Sequence, residues 1–246
     1  MPPTCLILAA GAGSRLATCT DCKPLLPLQG QPLIDRVMQN MMTAGVDDFL
    51  VITGHQADKL RAHLEGFARV HQVTVRTLHN EQWQRANGIS VWVARSTLTA
   101  PFLLTMADHL VDPEIIRRLV RQGLGAGTVR LAIDRPATAP WVDVEDVTKV
   151  TEEDGIITAI GKQIAGWNAY DTGVFLCHPD LFAALAASSA EGDDSLSGGI
   201  SWLARQRQAL VCDISGHFWL DVDDENAMNK ALRWLKQEKD NENGGI

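Results

Sequence analysis

The chain has 246 residues, 46% hydrophobic and 21% charged, which suits one large or two small globular domains whose core needs no disulfide or metal staples. Its formal net charge of −8 argues against nucleic-acid binding, because that requires a basic face to displace counterions. No apolar run nears the roughly 20 residues that span a bilayer. The short apolar stretch at residues 6–10 also lacks the basic flank of a signal peptide, so the expectation is a cytoplasmic protein without membrane insertion.

In the first half, apolar runs of strand length alternate with helical spacing. Strands are expected over 5–9, 49–53, 73–78, 102–106 and 128–133, and helices over 32–44, 57–67, 88–95 and 113–121. Pro32 and Pro113 fall where a first-turn proline is tolerated, and Asp112 is placed to cap the helix after it. Such alternation implies βαβ units and a mostly parallel sheet covered by helices on both faces. The second half reads as a small antiparallel lobe, with strands over 142–151, 156–160 and 171–177 and a turn at Glu153-Asp154-Gly155. Helices follow over 179–187 and 196–207, then a strand over 209–213 and a closing helix over 225–236. A single domain over residues 1–238 is expected, with 239–246 as a polar, flexible tail.

The first strand leaves through "AAGAGSRLATCTDCKP", and three mechanisms compete for that loop. The dinucleotide fingerprint G-x-G-x-x-G fails because Leu16 stands at its third glycine, and no lysine follows a glycine at P-loop spacing. What remains is a run of small residues, Ala9, Ala10, Gly11, Ala12 and Gly13, that bares backbone N–H groups in a concave anion cradle. Arg15 and Lys23 then bring two cations to a polyphosphate. Cys19 and Cys22 form a C-x-x-C with no second pair at zinc spacing, and read as loop thiols.

"FLLTMADHLVDP" puts Asp108 at the carboxyl end of a buried strand, the edge where open α/β sheets bind ligands. "FWLDVDDENA" supplies Asp221 and Asp223, two residues apart in extended chain and so on one side. Mg²⁺ binds one or two carboxylates plus phosphate oxygens, which suits aspartates shared between two strand ends. Asp224 and Glu225 read as the negative start of the closing helix. In "NEQWQRANGIS", Asn80 and Asn87 offer amides that can read a base edge, Gly88 permits close approach, and Ser90 is alternatively a helix cap. Lys149 and Lys162 are alternative partners for an acceptor phosphate, and Asp171 and Thr172 offer a carboxylate and a hydroxyl to a polyol. Trp141, with Trp167 and Trp219, is either core or a face for a quaternary ammonium group.

The glycine loop with Arg15 and Lys23-Pro24 resembles the signature of nucleotidyltransferases that couple NTPs to sugar or alcohol phosphates. The further series N-x(6)-N-G-x-S, D-H, T-K-V, I-G-K and D-T-G-V-F is similar to the cytidylyltransferase branch that acts on inositol phosphate, and the similarity runs over roughly residues 5–235. Ala107 stands where that branch often has glycine. The resemblance implies a GT-A-like, Rossmann-like mixed α/β fold and Mg²⁺-dependent joining of CTP to a polyol phosphate with release of pyrophosphate. It implies catalytic roles for Arg15, Lys23, Lys149 and Lys162, and nucleotide contacts from residues 9–13, Asn80, Asn87 and Gly88. Asp108, Trp141 and Asp171-Thr172 fall to the acceptor, and Asp108 with Asp221 or Asp223 to the metal. Phosphocholine or a sugar 1-phosphate are alternative acceptors, and a homodimer is left open. A molybdopterin-type guanylyltransferase is disfavoured by "YDTGVF". A non-catalytic nucleotide-binding domain is disfavoured because Lys23, Asp108, Asp221 and Asp223 are all present.

Overall fold

The computed structural model describes the backbone of residues 3–139 and 141–244, and the side chains there except at 138 and 238–244. The first half builds β1 (Cys5–Ala9), β2 (Pro27–Leu28), β3 (Gln31–Pro32), α1 (Leu33–Thr43), β4 (Asp48–Thr53), α2 (Ala57–His71), β5 (Thr74–His79), α3 (Asn87–Val93), β6 (Phe102–Met106), β7 (His109–Val111), α4 (Pro113–Gln122) and β8 (Val129–Asp134). Then come β9 (Lys149–Glu153), β10 (Ile156–Gly161), β11 (Ala169–Cys177), α5 (Leu181–Ala190), α6 (Leu196–Arg205), β12 (Ala209–Asp213), β13 (Trp219–Asp221) and α7 (Glu225–Gly244).

One nine-stranded mixed sheet, in the order β5-β4-β1-β6-β11-β8-β12-β10-β9, carries the fold. Its first four strands are parallel, while β11 runs antiparallel to both β6 and β8. The two-residue alternation of each strand divides the core. Leu6, Leu8, Leu50 and Leu104 pack with residues of α3, α5 and α6, whereas Cys5, Ile7, Val51 and Leu103 pack with α1, α2 and α4. Because β1 and β6 are parallel neighbours buried on both faces, the glycine loop and Asp108 leave the sheet side by side.

The antiparallel lobe is the β9–β10 hairpin, which turns at Asp154 and Gly155, both at positive φ. It continues the main sheet, and β9 folds back to pair with β11 as well. The strand expected from residue 142 starts only at Lys149. Asp143 turns the preceding segment instead, accepting the Glu145 N–H on its side chain and the Val147 N–H on its carbonyl.

Two short ribbons are additions. β2–β3 turns through Gln29 and Gly30, both at positive φ, and ends at Pro32, which sits at the N-cap of α1 and not in its first turn. β7 and β13 pair antiparallel, and an apolar cluster of Leu16, Leu28, Leu110, Leu220 and Val222 welds this ribbon to the glycine-loop exit and α7. Asp112 caps α4 as expected, its side chain accepting the Glu114 N–H at 2.8 Å with Pro113 next in the chain. α7 runs to Gly244, beyond the expected end at 236 and into the segment read as a tail. Residues 245 and 246 of that segment lie outside the described residues.

Candidate active site

Two cavities meet at the carboxyl edge of β1 and β6. The first, about 260 Å³, is lined by Ala9, Gly11, Gly13, Arg15, Lys23 and Asp108. The second, about 310 Å³, is lined among others by Trp141, Lys162, Asp171 and Asp221. Asp108 and Asp223 border both.

Gly13 sits at φ 62° in the left-handed region, and a Cβ there would lie 2.5 Å from Lys23 Cβ. This glycine therefore lets the Lys23 stem pass against the loop. A Cβ on Gly11 would meet nothing within 4 Å and would stand in the first cavity. Gly11→Val should therefore narrow that cavity and leave the fold intact; a thermal melting curve well below the parent's would contradict the open placement of this residue.

Lys23 is 8% exposed, and its amine contacts Asp108 at 2.5 Å and also Asp223. Burial opposes its charge, but the two carboxylates more than offset that and hold its pKa above the ordinary lysine value. Asp108 in turn accepts from His109 Nδ1 at 2.8 Å. Burial works against the Asp108 charge, yet Lys23 and then His109 bring its carboxyl well below the usual range.

The pairing of β7 with β13 sets Asp221 opposite His109, and the Val222 N–H donates to the Asp108 carbonyl at 3.0 Å. Distant acidic segments are thus laid side by side. Trp219 fixes this ribbon to the main sheet, its indole N–H donating to the buried Asp134 at 2.8 Å. Asp221 Oδ1 is buried without a hydrogen-bond partner. Burial, then Asp108, pushes the Asp221 carboxyl up to about 7. Ligand atoms of Asp108, His109 and Asp221 lie within 4.8 Å of one another. Burial lowers His109, but Asp221 and Asp108 outweigh it and raise the imidazole to about 9, and its Nδ1 faces Asp108.

Several expected residues converge here. Arg15 donates to Asp146 at 2.5 Å and to Asp223, so Asp223 joins the cluster through Arg15 and Lys23. Lys162 lines the second cavity, as does Trp141, whose indole N–H donates to the Trp219 carbonyl at 2.7 Å and fixes the ring as a wall. Asn87 lines it too, with its side-chain oxygen accepting the Leu196 N–H at 2.9 Å.

Others do not converge. Thr172 is fully buried and donates its hydroxyl to the Ala132 carbonyl at 2.8 Å, because neighbouring strand residues face opposite sides and Asp171 takes the cavity side. Asn80 is 2% exposed, with its amide donating to Ser90 at 2.9 Å and its side-chain oxygen accepting the Gln82 N–H, so it braces the 80–90 loop. Ser90 lies inside α3 and does not cap it. Gly88 serves a close approach of α3 to the Asp194 carbonyl. Lys149 lines neither cavity and donates to the Lys162 carbonyl at 2.8 Å, steadying the segment that presents Lys162.

The sequence reading left His109, Gly173 and Asp146 without roles. Gly173, at φ 74°, leaves room only for the His109 ring, which a Cβ there would strike. Their signals were the D-H and D-T-G motifs; Asp146 had none beyond lying in an acidic stretch.

Asp171 accepts the Gly173 N–H at 2.7 Å, and burial pushes its carboxyl from 3.8 up to about 6. The folded chain thus holds that proton more tightly than the unfolded chain. The resulting stabilisation is complete below about pH 4 and is lost as pH rises through about 6. Asp171→Asn should flatten the fall in thermal stability between those values, and parallel melting curves for parent and variant would contradict the assignment.

The chain is 32% identical over 222 residues to a bifunctional IPC transferase and DIPP synthase of Rubrobacter xylanophilus, a match covering 88% of this chain and 48% of that protein. It is 28% identical over 237 residues to the protein of the same name from Aquifex aeolicus, covering 96% of this chain and 52% of the other. The chain thus spans about half the length of these curated relatives. Its fold superposes on the inositol-1-phosphate CTP transferase from T. maritima with a TM-score of 0.82 at 22% identity, covering 95% of this chain and 96% of that one. A UDP-glucose pyrophosphorylase complexed with UDP-glucose matches with a TM-score of 0.78 at 19% identity, covering 97% and 100%. Among the described residues no helix is long and apolar enough to cross a membrane. The family model of the MobA-like NTP transferase domain matches residues 5–209, most of the chain, and the chain belongs to that family.

Proposed function

We propose that this chain transfers a cytidylyl group from CTP to a polyol phosphate of the inositol 1-phosphate type, releasing pyrophosphate. The observation that carries the reading is the junction of the two cavities at Asp108 and Asp223 with the Lys23 amine between them. A nucleotide in the glycine-loop cavity and a phosphate in the other would present their reacting groups at that junction. The fold neighbour from T. maritima is an inositol-1-phosphate CTP transferase, which supports the same pair of substrates.

In the proposed reaction an oxygen of the acceptor phosphate attacks the α-phosphorus in line. That bond forms as the bond from the α-phosphorus to the bridging β-phosphate oxygen breaks, and the electron pair departs with pyrophosphate. No covalent enzyme intermediate is required, so the residues act by positioning and charge neutralisation. Arg15 and Lys23 take the triphosphate, Lys162 takes the acceptor phosphate, and Asp171 accepts from a polyol hydroxyl. The site also fits Mg²⁺. Its donors are the hard carboxylates of Asp108, Asp221 and Asp223, and Asp221 offers a buried, unpartnered oxygen. When bound, Mg²⁺ supplies neutralisation of phosphate charge. His109 keeps Asp108 turned toward the junction.

A second acceptor class draws support from the second cavity's wall, where Asp143, Asp146 and Asp224 stand with Trp141. Carboxylates and an indole face suit a cationic head such as phosphocholine. Pyrophosphate release from a matrix of NTPs against phosphorylated alcohols separates the readings. CTP with inositol 1-phosphate should give the highest rate. Turnover of phosphocholine with none of inositol phosphate would overturn the acceptor, and preference for another NTP would overturn the base.

A further inference from the structure

Asp146 lies on the turn between β8 and β9, where nothing in the sequence marked it. One of its oxygens accepts from Arg15 Nη1 at 2.5 Å and the other from Lys162 Nζ at 2.6 Å. Arg15 belongs to the glycine-loop cavity and Lys162 to the acceptor cavity. A single carboxylate thus ties one cation from each site.

Its own placement is firm. The Asp146 and Val147 N–H groups donate to the Asp143 carbonyl, and Trp141, at the start of the segment, is held by Trp219 and by Lys230 Nζ at 2.9 Å from its carbonyl. The ion pairs themselves are half-exposed, with side-chain exposures of 49% for Arg15, 40% for Asp146 and 57% for Lys162. Pairs this exposed contribute little to folding, on the order of 0–1 kcal/mol. Stability therefore gives no sufficient reason for the arrangement, and the reacting phosphates do. Both are anions, and bringing them together costs repulsion unless cations are fixed between them.

We infer that Asp146 is a positioning residue that brackets Arg15 and Lys162 across the junction, so that the nucleotide and acceptor phosphates are aligned against each other. This rests on the nucleotidyltransferase reading above. Asp146 also lines the acceptor cavity, but with one oxygen on Arg15 and the other on Lys162 it acts through the two cations. Removing it leaves both cations able to bind phosphate but no longer fixed relative to each other, so the loss falls on turnover and not on ground-state binding.

The test is steady-state kinetics with CTP and inositol 1-phosphate, or with whichever pair the substrate matrix selects. Asp146→Ala and Asp146→Asn should each lower kcat by about tenfold, with both KM values within about threefold of the parent. Arg15→Ala and Lys162→Ala should be non-additive in the parent background and additive in Asp146→Ala. Unchanged kcat, with or without a lower Tm, would overturn the inference. So would a fall in both KM values, which would make Asp146 a competitor of the phosphates, or coupling that survives in Asp146→Ala. If the parent releases pyrophosphate from no pair, the proposed function fails and this inference fails with it. Turnover by the parent with any of the other contrary results refutes the bracket alone.

Discussion

Asp108→Asn is expected to lower kcat by about 10²–10³-fold while the protein stays folded. Asp108 contacts Lys23 at 2.5 Å and His109 at 2.8 Å, and it borders both cavities, so one charge organises the whole junction. The fold should survive because Lys23 keeps Asp223, and because the Asp108 charge is itself one cause of the raised Asp221 carboxyl. Removing it relieves crowding among the carboxylates. Circular dichroism and pyrophosphate release on the same preparation check both halves of the expectation. Near-parental turnover in a folded variant would remove Asp108 from the site.

Lys23→Ala should be comparably damaging but in a different way. Its amine is the cation between Asp108 and Asp223, and the like-charged aspartates lose their neutralisation when it goes. kcat/KM for the nucleotide should fall by about 10²–10³-fold, since in the proposed reaction this charge is the one that faces the phosphates. The variant should also melt lower than the parent, and Mg²⁺ should recover more of its Tm than it adds to the parent, because the carboxylates are left without their cation. Equal Mg²⁺ effects on both proteins would show that Lys23 does not share the carboxylates with a metal.

How much of this was legible in the sequence depends on the range of the interactions involved. β1, β6 and β12 fall where apolar runs end in glycine or aspartate, and their expected and observed limits coincide. These are local signals. The β7–β13 ribbon has three residues per strand and joins segments about a hundred residues apart, so no periodicity announces it. Yet that ribbon is what puts Asp221 beside His109. Thr172 shows a different failure, since neighbours in a strand face opposite sides and a polyol contact by Asp171 already leaves Thr172 facing the core. Asn80 was read from its amide alone, and its hydrogen bond to Ser90, ten residues on, has no signature in the sequence. Asp146 was invisible for a plainer reason: its partners lie 131 and 16 residues away, and an aspartate in an acidic stretch carries no signal of its own.

The most direct test of the account is phosphorus NMR of the protein with CTP, inositol 1-phosphate and Mg²⁺. Transfer across the junction predicts two new coupled resonances of a diphosphodiester, appearing in step with pyrophosphate. CTP that persists unchanged, or that decays to CDP and inorganic phosphate with no diphosphodiester, would contradict it.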